Sequence, residues 1–465
     1  MTEPLWTTGE IAAAVGGQRI GADLPVQGLT FDSRSVEPGD LFIALAGARD
    51  GHDFIAAARN QGAVAALVSR PTEGPGVLVD DTLRALEALG VAARERAPAA
   101  RRGAVTGSVG KTSVTQAVRL GLSLAGPAHS SVKSFNNHIG VPLTLARMPR
   151  DTERAVFEIG MNHAGEITPL VQMVRPQAVV ITTVGPVHVE NFPDGEAGVA
   201  AAKAEIFDGL APGGLAILNA DNVWFDELSA RARAQGAVVA SFGQGPGCDA
   251  QLLDFQAQGG AARIKARLRG ESLDFPILQT GLHWGLNSMA VLLMLEALEV
   301  SRDLALTALG AFEPMVGRGA EQQLSVRGGR FTLIDESYNA NPVSMAAAIA
   351  TLGARKVEGR RVVVLTDMLE LGPAGPDFHR ALAEPLERAQ VDLVFCAGPL
   401  MKSLFDALPS TRRGGYAESA AQIGAQVVQA VEPGDVVMVK GSNGSKAGAV
   451  AAALAAFGRA QGDQG

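Results

Sequence analysis

One stretch constrains the fold of this chain more than any other: Arg102-GAVTGSVGKTSVTQAVRLGLSLAG. A short run of small and β-branched residues (Ala104, Val105, Thr106) leads into Gly107-Ser-Val-Gly110-Lys111-Thr112-Ser113. An apolar-periodic segment follows, with Val114, Ala117, Val118 and Leu122 on one helical face. Strand, glycine loop, Lys-Thr and helix form the layout that binds a nucleoside triphosphate. Glycines let backbone N–H groups approach phosphate oxygens, and the helix N-terminus adds the positive end of its dipole. Lys111 is then expected on the β/γ-phosphates and the Thr112 hydroxyl on Mg²⁺. The usual longer loop carries a glycine where Val105 stands, so the pattern here is the shorter Gly-x-x-Gly-Lys-Thr. The competing reading is an ordinary glycine turn capping a helix.

A chain of 465 residues should hold about three domains. Apolar content of 47% with 19% charged residues is that of an ordinary globular protein. A net charge of −8 argues against a nucleic-acid groove or an anionic membrane surface as main partner. Cys248 and Cys396 are too far apart in sequence for a metal knuckle and fit a reducing compartment. The N-terminus lacks a basic region followed by an apolar one, and no run of about 18 apolar residues occurs. The expectation is a cytoplasmic protein without membrane insertion.

Residues 1–100 read as a small α/β unit: a helix capped at Thr8, then short strands separated by glycine turns and alanine-rich helices. Its polar marks are Asp32-Ser33-Arg34 and Gly51-His52-Asp53-Phe54. An Asp-Ser-Arg at a strand end can hold a phosphate or a uracil edge, or can be a solvated turn. Residues 101–313 open with the phosphate loop. Asn136, Asn137 and His138 follow before a proline turn, suited to a polar ligand or to capping their own loop. Glu158 closes an apolar strand, the place for a Mg²⁺ ligand in a nucleotide fold. His188 follows the next such strand in the same way. Lys203 sits among alanines, either snorkelling to the surface or converted into a ligand. Residues 250–278 alternate like antiparallel strands. The helix after them carries His283 and Asn287 at i, i+4 on a face that is either core or ligand site.

Residues 314–465 begin with Arg318 in a glycine-flanked loop suited to a phosphate clamp. A strand then ends in Asp335, Glu336, Tyr338, Asn339 and Asn341, with Pro342 opening a helix. Three further apolar strands, beginning near Arg361, Val391 and Asp435, alternate with helices, which predicts a doubly wound parallel sheet.

With these residues assembled, the chain resembles the Mur ligase family over essentially its whole length. The resemblance rests on an ordered series: Phe31-DSRSVEPGDLFIAL, Thr106-GSVGKTS, Asn136-NHIGVPLTL, Glu158-IGMNHAGEI, His188-VENF, Lys203-AEIF, Asn219-AD, Asp335-ESYNANPVSM, Asp367-MLELG and Lys440-GSNGS. The short glycine loop is usual in that family. The resemblance implies three α/β domains: 1–100 binding the UDP end of a substrate, 101–313 a P-loop-type ATPase with a parallel sheet, and 314–465 a Rossmann-like unit that closes over ATP and binds the incoming dipeptide. It implies an ATP-dependent amide-forming ligase of peptidoglycan precursor synthesis, working as a monomer. Its substrates would be UDP-N-acetylmuramoyl-tripeptide and D-Ala-D-Ala.

Site roles carried by the resemblance are these. Thr106, Gly107, Ser108, Val109, Gly110, Lys111, Thr112 and Ser113 bind the ATP phosphates, and Thr112, Glu158 and His188 surround Mg²⁺. Lys203 matches the lysine that CO₂ carbamylates into a further metal ligand. His283 and Asn287 match the adenine side, beside Trp284, where the family more often has Asn and where a stacking role is open. Arg318 and Asp335 match residues that meet the γ-phosphate and the ribose. Ser33, Arg34, Asn136 and Asn137 match contacts to the UDP-sugar, and Asn339 and Asn341 lie where the dipeptide should bind. Lys111, His188, Lys203 and Arg318 are the expected catalytic groups. Against the neighbouring ligase that adds a diamino acid, the chain lacks an Asp-Asn-Pro string and carries Asn339-AN-Pro342 instead. Folylpolyglutamate synthase lacks a first domain with Asp-Ser-Arg. A P-loop kinase, a switch GTPase or a non-catalytic nucleotide sensor fits the retained lysines and metal-side residues less well.

Overall fold

The computed structural model describes residues 3–131, 134–187, 189–258 and 260–462. Among the described residues the chain builds sheets of two, five, nine and six strands, met in sequence order from the N-terminus. The five-stranded sheet uses Gln18–Ile20, Gly28–Thr30, Asp40–Ile43, Ala65–Val68 and Gly76–Leu78. The first helix, Thr8–Val15, starts one residue earlier than the sequence suggests. Thr7, not Thr8, is its cap, because the Thr7 hydroxyl accepts from Glu10 N–H while the Glu10 carboxylate returns to Thr7 N–H. The Thr8 hydroxyl instead bonds Asp23 at 3.1 Å.

The nine-stranded sheet is organised by β1 (Arg101–Thr106), which runs into the glycine loop and then α1 (Lys111–Ala125). β2 (Arg154–Glu158) and β3 (Ala178–Ile181) lie parallel on either side of β1. The chain leaves β1 to one side and returns on the other, so the loop at the carboxyl end of β1 sits at a topological switch point, where α/β sheets bind ligands. Alternation along these buried strands assigns their side chains. Val105, Val156 and Val180 meet Val114, Ala117, Val118 and Leu122 of α1 on one face. Ala104, Phe157 and Val179 meet Val199, Ile206 and Phe207 on the other. Val199 belongs to α2 (Glu196–Ala204). The stretch 250–277 forms antiparallel strands, as expected from its alternation, and they prolong this sheet rather than standing apart. α3 (Leu282–Ala297) is packed beneath it, apolar nearly all round.

The six-stranded sheet opens on an antiparallel pair, Ala320–Val326 against β4 (Gly329–Glu336), and is parallel thereafter. Val436–Lys440 lies between β4 and Arg361–Thr366, as a doubly wound order requires. α4 (Pro342–Ala354) starts on a capping box: Asn341 Oδ1 accepts from Ser344 N–H at 2.9 Å, and Ser344 Oγ accepts from Asn341 N–H at 3.0 Å. Pro342 fits the first helical position, which needs no N–H donor.

Candidate active site

The glycine loop is held from below by residues at the end of β3 and just past it. Ser108 N–H donates to Thr183 O at 2.8 Å, and Ser108 Oγ both donates to Gly185 O and accepts from Gly185 N–H at 3.0 Å. Thr182 Oγ1 donates to Val109 O. Gly107 has φ +147°, and a Cβ there would stand 1.9 Å from Thr182 Oγ1. Only glycine fits. We expect Gly107→Ala to weaken ATP binding by about tenfold or more, because backbone strain and the clash each cost on the order of 1–3 kcal/mol. Titration calorimetry with a non-hydrolysable ATP analogue checks it; unchanged affinity would remove the loop from the site. Gly110, at φ +88°, caps α1 in the left-handed region. The first-turn N–H groups of α1 lack intrahelical partners and face outward from the sheet edge.

Four ionisable groups gather at this loop. Lys111 is half-buried and donates to Gly107 O at 2.7 Å. Burial holds its ammonium below the usual lysine range; Glu158 raises it in part and Arg318 lowers it further. Lys203, on α2, is 3% exposed. Burial, then repulsion from Lys111, holds its amine well below the usual range. Lys203 is therefore not a snorkelling surface residue. Glu158 is 1% exposed; Oε1 accepts from Asn136 Nδ2 at 2.7 Å, while Oε2 is buried without a hydrogen-bond partner. Arg318 reaches in from the far side, donating from Nη2 to Thr112 Oγ1 at 3.1 Å.

A buried carboxylate oxygen without a hydrogen-bond partner, at the end of the strand paired with the one that enters the phosphate loop, fits a small hard cation, which takes oxygen donors. Among the described residues no three His, Cys, Asp or Glu side chains gather as a metal cluster. Mg²⁺ binds through one or two carboxylates plus substrate phosphates and water. His188, expected at the same ion, lies outside the described residues.

The remaining expected site residues fall into place unevenly. Asn287 faces the loop, since a Cβ on Gly110 would lie 3.3 Å from its Oδ1. His283 lines a crevice with Thr280, Trp284, Arg318, Glu336 and Thr351, and its Nδ1 is buried without a partner. Trp284 is 4% exposed, with its ring 5.3 Å from that of Phe312, so its indole belongs to the core. Asn136 turns to Glu158, and Asn137 Oδ1 accepts from Gly140 N–H at 2.9 Å. The self-capping reading of that loop thus holds for Asn137. Ser33 and Arg34 sit beyond the strand Gly28–Thr30, with Arg34 exposed and paired to Asp32 at 2.8 Å. Asp335 is buried with both oxygens engaged: Oδ2 accepts from Gly317 N–H at 3.1 Å and Oδ1 from Ser337 N–H at 3.1 Å. Asn341 is 5% exposed and used by its helix cap, whereas Asn339 is exposed. Lys440 supports this turn, donating to Asn339 O at 3.0 Å and Glu336 Oε2 at 3.3 Å.

Sequence reasoning gave no role to Thr182 or Ser134 and none to the ring of Tyr338. Thr182 follows β3 directly, the one local signal that it faces the loop. Nothing local ties Ser134 to Tyr338, because the two meet only through the fold.

Comparison with known proteins places the fold and the family. Family models match in order: "Mur ligase family, catalytic domain" over residues 25–97, "Mur ligase middle domain" over 105–295 and "Mur ligase, glutamate ligase domain" over 322–443. The UDP-N-acetylmuramoyl-tripeptide–D-alanyl-D-alanine ligase of Rickettsia prowazekii is 31% identical, covering 95% of this chain and 98% of that protein. The ligase of the same name from Escherichia coli is 35% identical over 84% of this chain and 86% of its own. A crystal structure of MurF from Acinetobacter baumannii superposes with a TM-score of 0.85 at 27% identity, covering 97% and 99% of the two chains. With sheets, phosphate loop and full-length relatives in agreement, the chain belongs to the Mur ligase family.

Proposed function

We propose that this protein joins D-alanyl-D-alanine to UDP-N-acetylmuramoyl-tripeptide at the expense of ATP, giving the UDP-pentapeptide, ADP and phosphate. The relatives that match nearly the whole chain carry that activity in their names. The observation that carries the chemistry is Arg318 of the third region seated on Thr112 of the phosphate loop, beside Lys111. In this reading residues 101–313 hold ATP, residues 1–100 the UDP end, and residues 314–465 close over both and present the dipeptide amine.

The free carboxylate of the tripeptide attacks the γ-phosphorus, and the bond to the β,γ-bridging oxygen breaks. Charge accumulates on the transferring phosphoryl group, and in this reading Lys111 and Arg318 neutralise it. Thr112 and Glu158 would hold Mg²⁺, which supplies further neutralisation of the phosphate oxygens when bound. The amine of D-Ala-D-Ala then attacks the acyl carbon, loses a proton, and inorganic phosphate leaves. Closure of the third region around Arg318 excludes water, which would otherwise hydrolyse the acyl phosphate. Lys203 fits conversion to a carbamate: burial lowers the amine well below the usual range, which favours the free base that CO₂ requires. Asp335 and Asn341 act in this reading by fixing the turns that carry Arg318 and Asn339.

Among the described residues no helix is long and apolar enough to cross a membrane. We take the working protein to be a cytoplasmic monomer. The decisive assay is phosphate release with Mg²⁺, ATP, UDP-muramoyl-tripeptide and D-Ala-D-Ala, omitting each in turn. Release that needs all three substrates and yields a UDP-pentapeptide supports the reading. Release with a UDP-dipeptide and a diamino acid would move the protein to the neighbouring ligase.

A further inference from the structure

Four side chains close a ring across the boundary between the nine- and six-stranded sheets. Tyr338 OH lies 2.7 Å from Ser134 Oγ, and Ser134 Oγ lies 3.2 Å from Thr112 Oγ1. Arg318 Nη2 donates to Thr112 Oγ1 at 3.1 Å, and the Arg318 guanidinium carbon stands 3.9 Å over the Tyr338 ring. The phosphate-loop hydroxyl, the clamp arginine and a tyrosine of the third region are thus one connected unit.

The turns that present Arg318 and Tyr338 are braced together. Tyr338 N–H donates to Gly317 O at 3.0 Å, and the two oxygens of Asp335 hold Gly317 on one side and Ser337 on the other. Gly317 has φ +74°, and a Cβ there would come 3.0 Å from Tyr338 Cβ. Arg318 therefore follows the Tyr338 ring wherever that turn goes. Tyr338 is 38% exposed, so it is not placed there by burial in the core.

The hydroxyl inventory makes the ring responsive. Thr112 Oγ1 has one proton and two lone pairs, and Arg318 can only donate to it. If Ser134 donates as well, both lone pairs are taken. A cation on Thr112 needs one of them and repels the guanidinium. It is accommodated when Thr112 donates to Ser134 and Ser134 to Tyr338, or when Arg318 leaves Thr112. A departing guanidinium still keeps the face of the tyrosine ring, an attraction that needs no hydrogen bond.

Resting on the ligase reading above, we propose that Tyr338 is the positioning residue for Arg318. With Ser134 it forms a latch that couples closure of the third region to what Thr112 holds. The ring face carries the guanidinium from Thr112 to the phosphoryl group, and the phenol hydroxyl ties that carrier to the phosphate-loop side.

The test compares wild type with Ser134→Ala, Tyr338→Phe, the double variant and Tyr338→Leu. Turnover is followed by phosphate release, and closure by small-angle X-ray scattering with Mg²⁺ and a non-hydrolysable ATP analogue. Tyr338→Phe removes the Tyr338–Ser134 bond and should lower kcat about fivefold; Ser134→Ala removes that bond and the one to Thr112 and should lower it at least as much, with the double variant no worse than Ser134→Ala. Tyr338→Leu also removes the ring face and should lose about fiftyfold in kcat with KM for ATP little changed. In scattering, wild type should contract on binding the analogue, Tyr338→Phe partly and Tyr338→Leu hardly. Full contraction of Tyr338→Leu, or multiplying losses in the double variant, would overturn the latch. Failure of wild type to turn over would overturn the ligase reading, while the scattering comparison would still decide the latch.

Discussion

Arg318→Ala is expected to lower kcat about a thousandfold, at the lower end of what an arginine on a transferring phosphoryl group contributes. Affinity for UDP-N-acetylmuramoyl-tripeptide should stay within about threefold of wild type. Arg318 touches Thr112 of the phosphate loop, whereas Ser33 and Arg34 sit in the turn after the strand Gly28–Thr30 of the five-stranded sheet. The arginine is thus placed to act on charge that develops during transfer rather than on the nucleotide sugar. Arg318→Lys should recover only a small part of the loss. A lysine offers a point charge where the planar guanidinium both lies on the Tyr338 ring and donates sideways to an oxygen. Single-turnover phosphate release, with calorimetric binding of the UDP substrate to the same variants, separates the two effects. Parallel loss of rate and UDP-substrate affinity would place Arg318 in substrate binding instead.

Lys203→Met should abolish turnover and yet stabilise the metal-free protein. The folded-state pKa of this lysine is lowered well below 10.5 by burial and by Lys111. Between that lowered value and 10.5, the unfolded chain holds a proton that the folded chain has released. Stability therefore rises with pH through that window, and at neutral pH the buried amine costs stability. An apolar side chain of similar length removes the cost, worth about 2 kcal/mol for an uncompensated polar group. That corresponds to an increase of about 4–8 °C in the thermal midpoint of a domain this size. The gain should shrink as the pH is raised toward 10.5, the value for an unfolded lysine. Calorimetry at several pH values reads the stability, and a ¹³C carbamate resonance on wild type in labelled bicarbonate reads the modification. Persistent turnover by Lys203→Met would rule out an obligatory carbamate, and a lowered midpoint would show that the amine is satisfied as a charged group.

Most of the fold was legible because buried parallel strands announce themselves. Val105, Val156 and Val180 fall on one face of three strands, each followed by a glycine or polar turn. Short edge strands were harder to read. Ala128–Ser130 spans three residues beside a proline turn, too short for any periodicity to register. The cap at Thr7 was misplaced by one residue because Thr7 and Thr8 offer the same hydroxyl, and only the return bond from Glu10 distinguishes them. At the site, residues on the loop and the strand ends were readable from position alone. The uses of Asn136, Asp335 and Asn341 were not. Each can bond a ligand or its own backbone, and which one wins depends on neighbours that are remote in sequence.

The chain passes from the nine-stranded to the six-stranded sheet once, through residues 312–319 between the helix Arg302–Ala311 and the strand Ala320–Val326. Arg318 lies on that crossing. In any rotation of one body about another, points near the pivot travel least and points at the rim sweep widest. A swing about this connection would displace the guanidinium and the neighbouring Tyr338-Asn339 turn little while carrying the far strand of the six-stranded sheet, Arg413–Ala417, through a long arc. Such an arrangement separates two mechanical demands. Alignment of the phosphoryl clamp tolerates angular error, and the aperture through which a dipeptide enters and a long nucleotide product leaves can be wide. A single Gly-Arg-Gly crossing, Gly317 to Gly319, thus acts as both fulcrum and reagent.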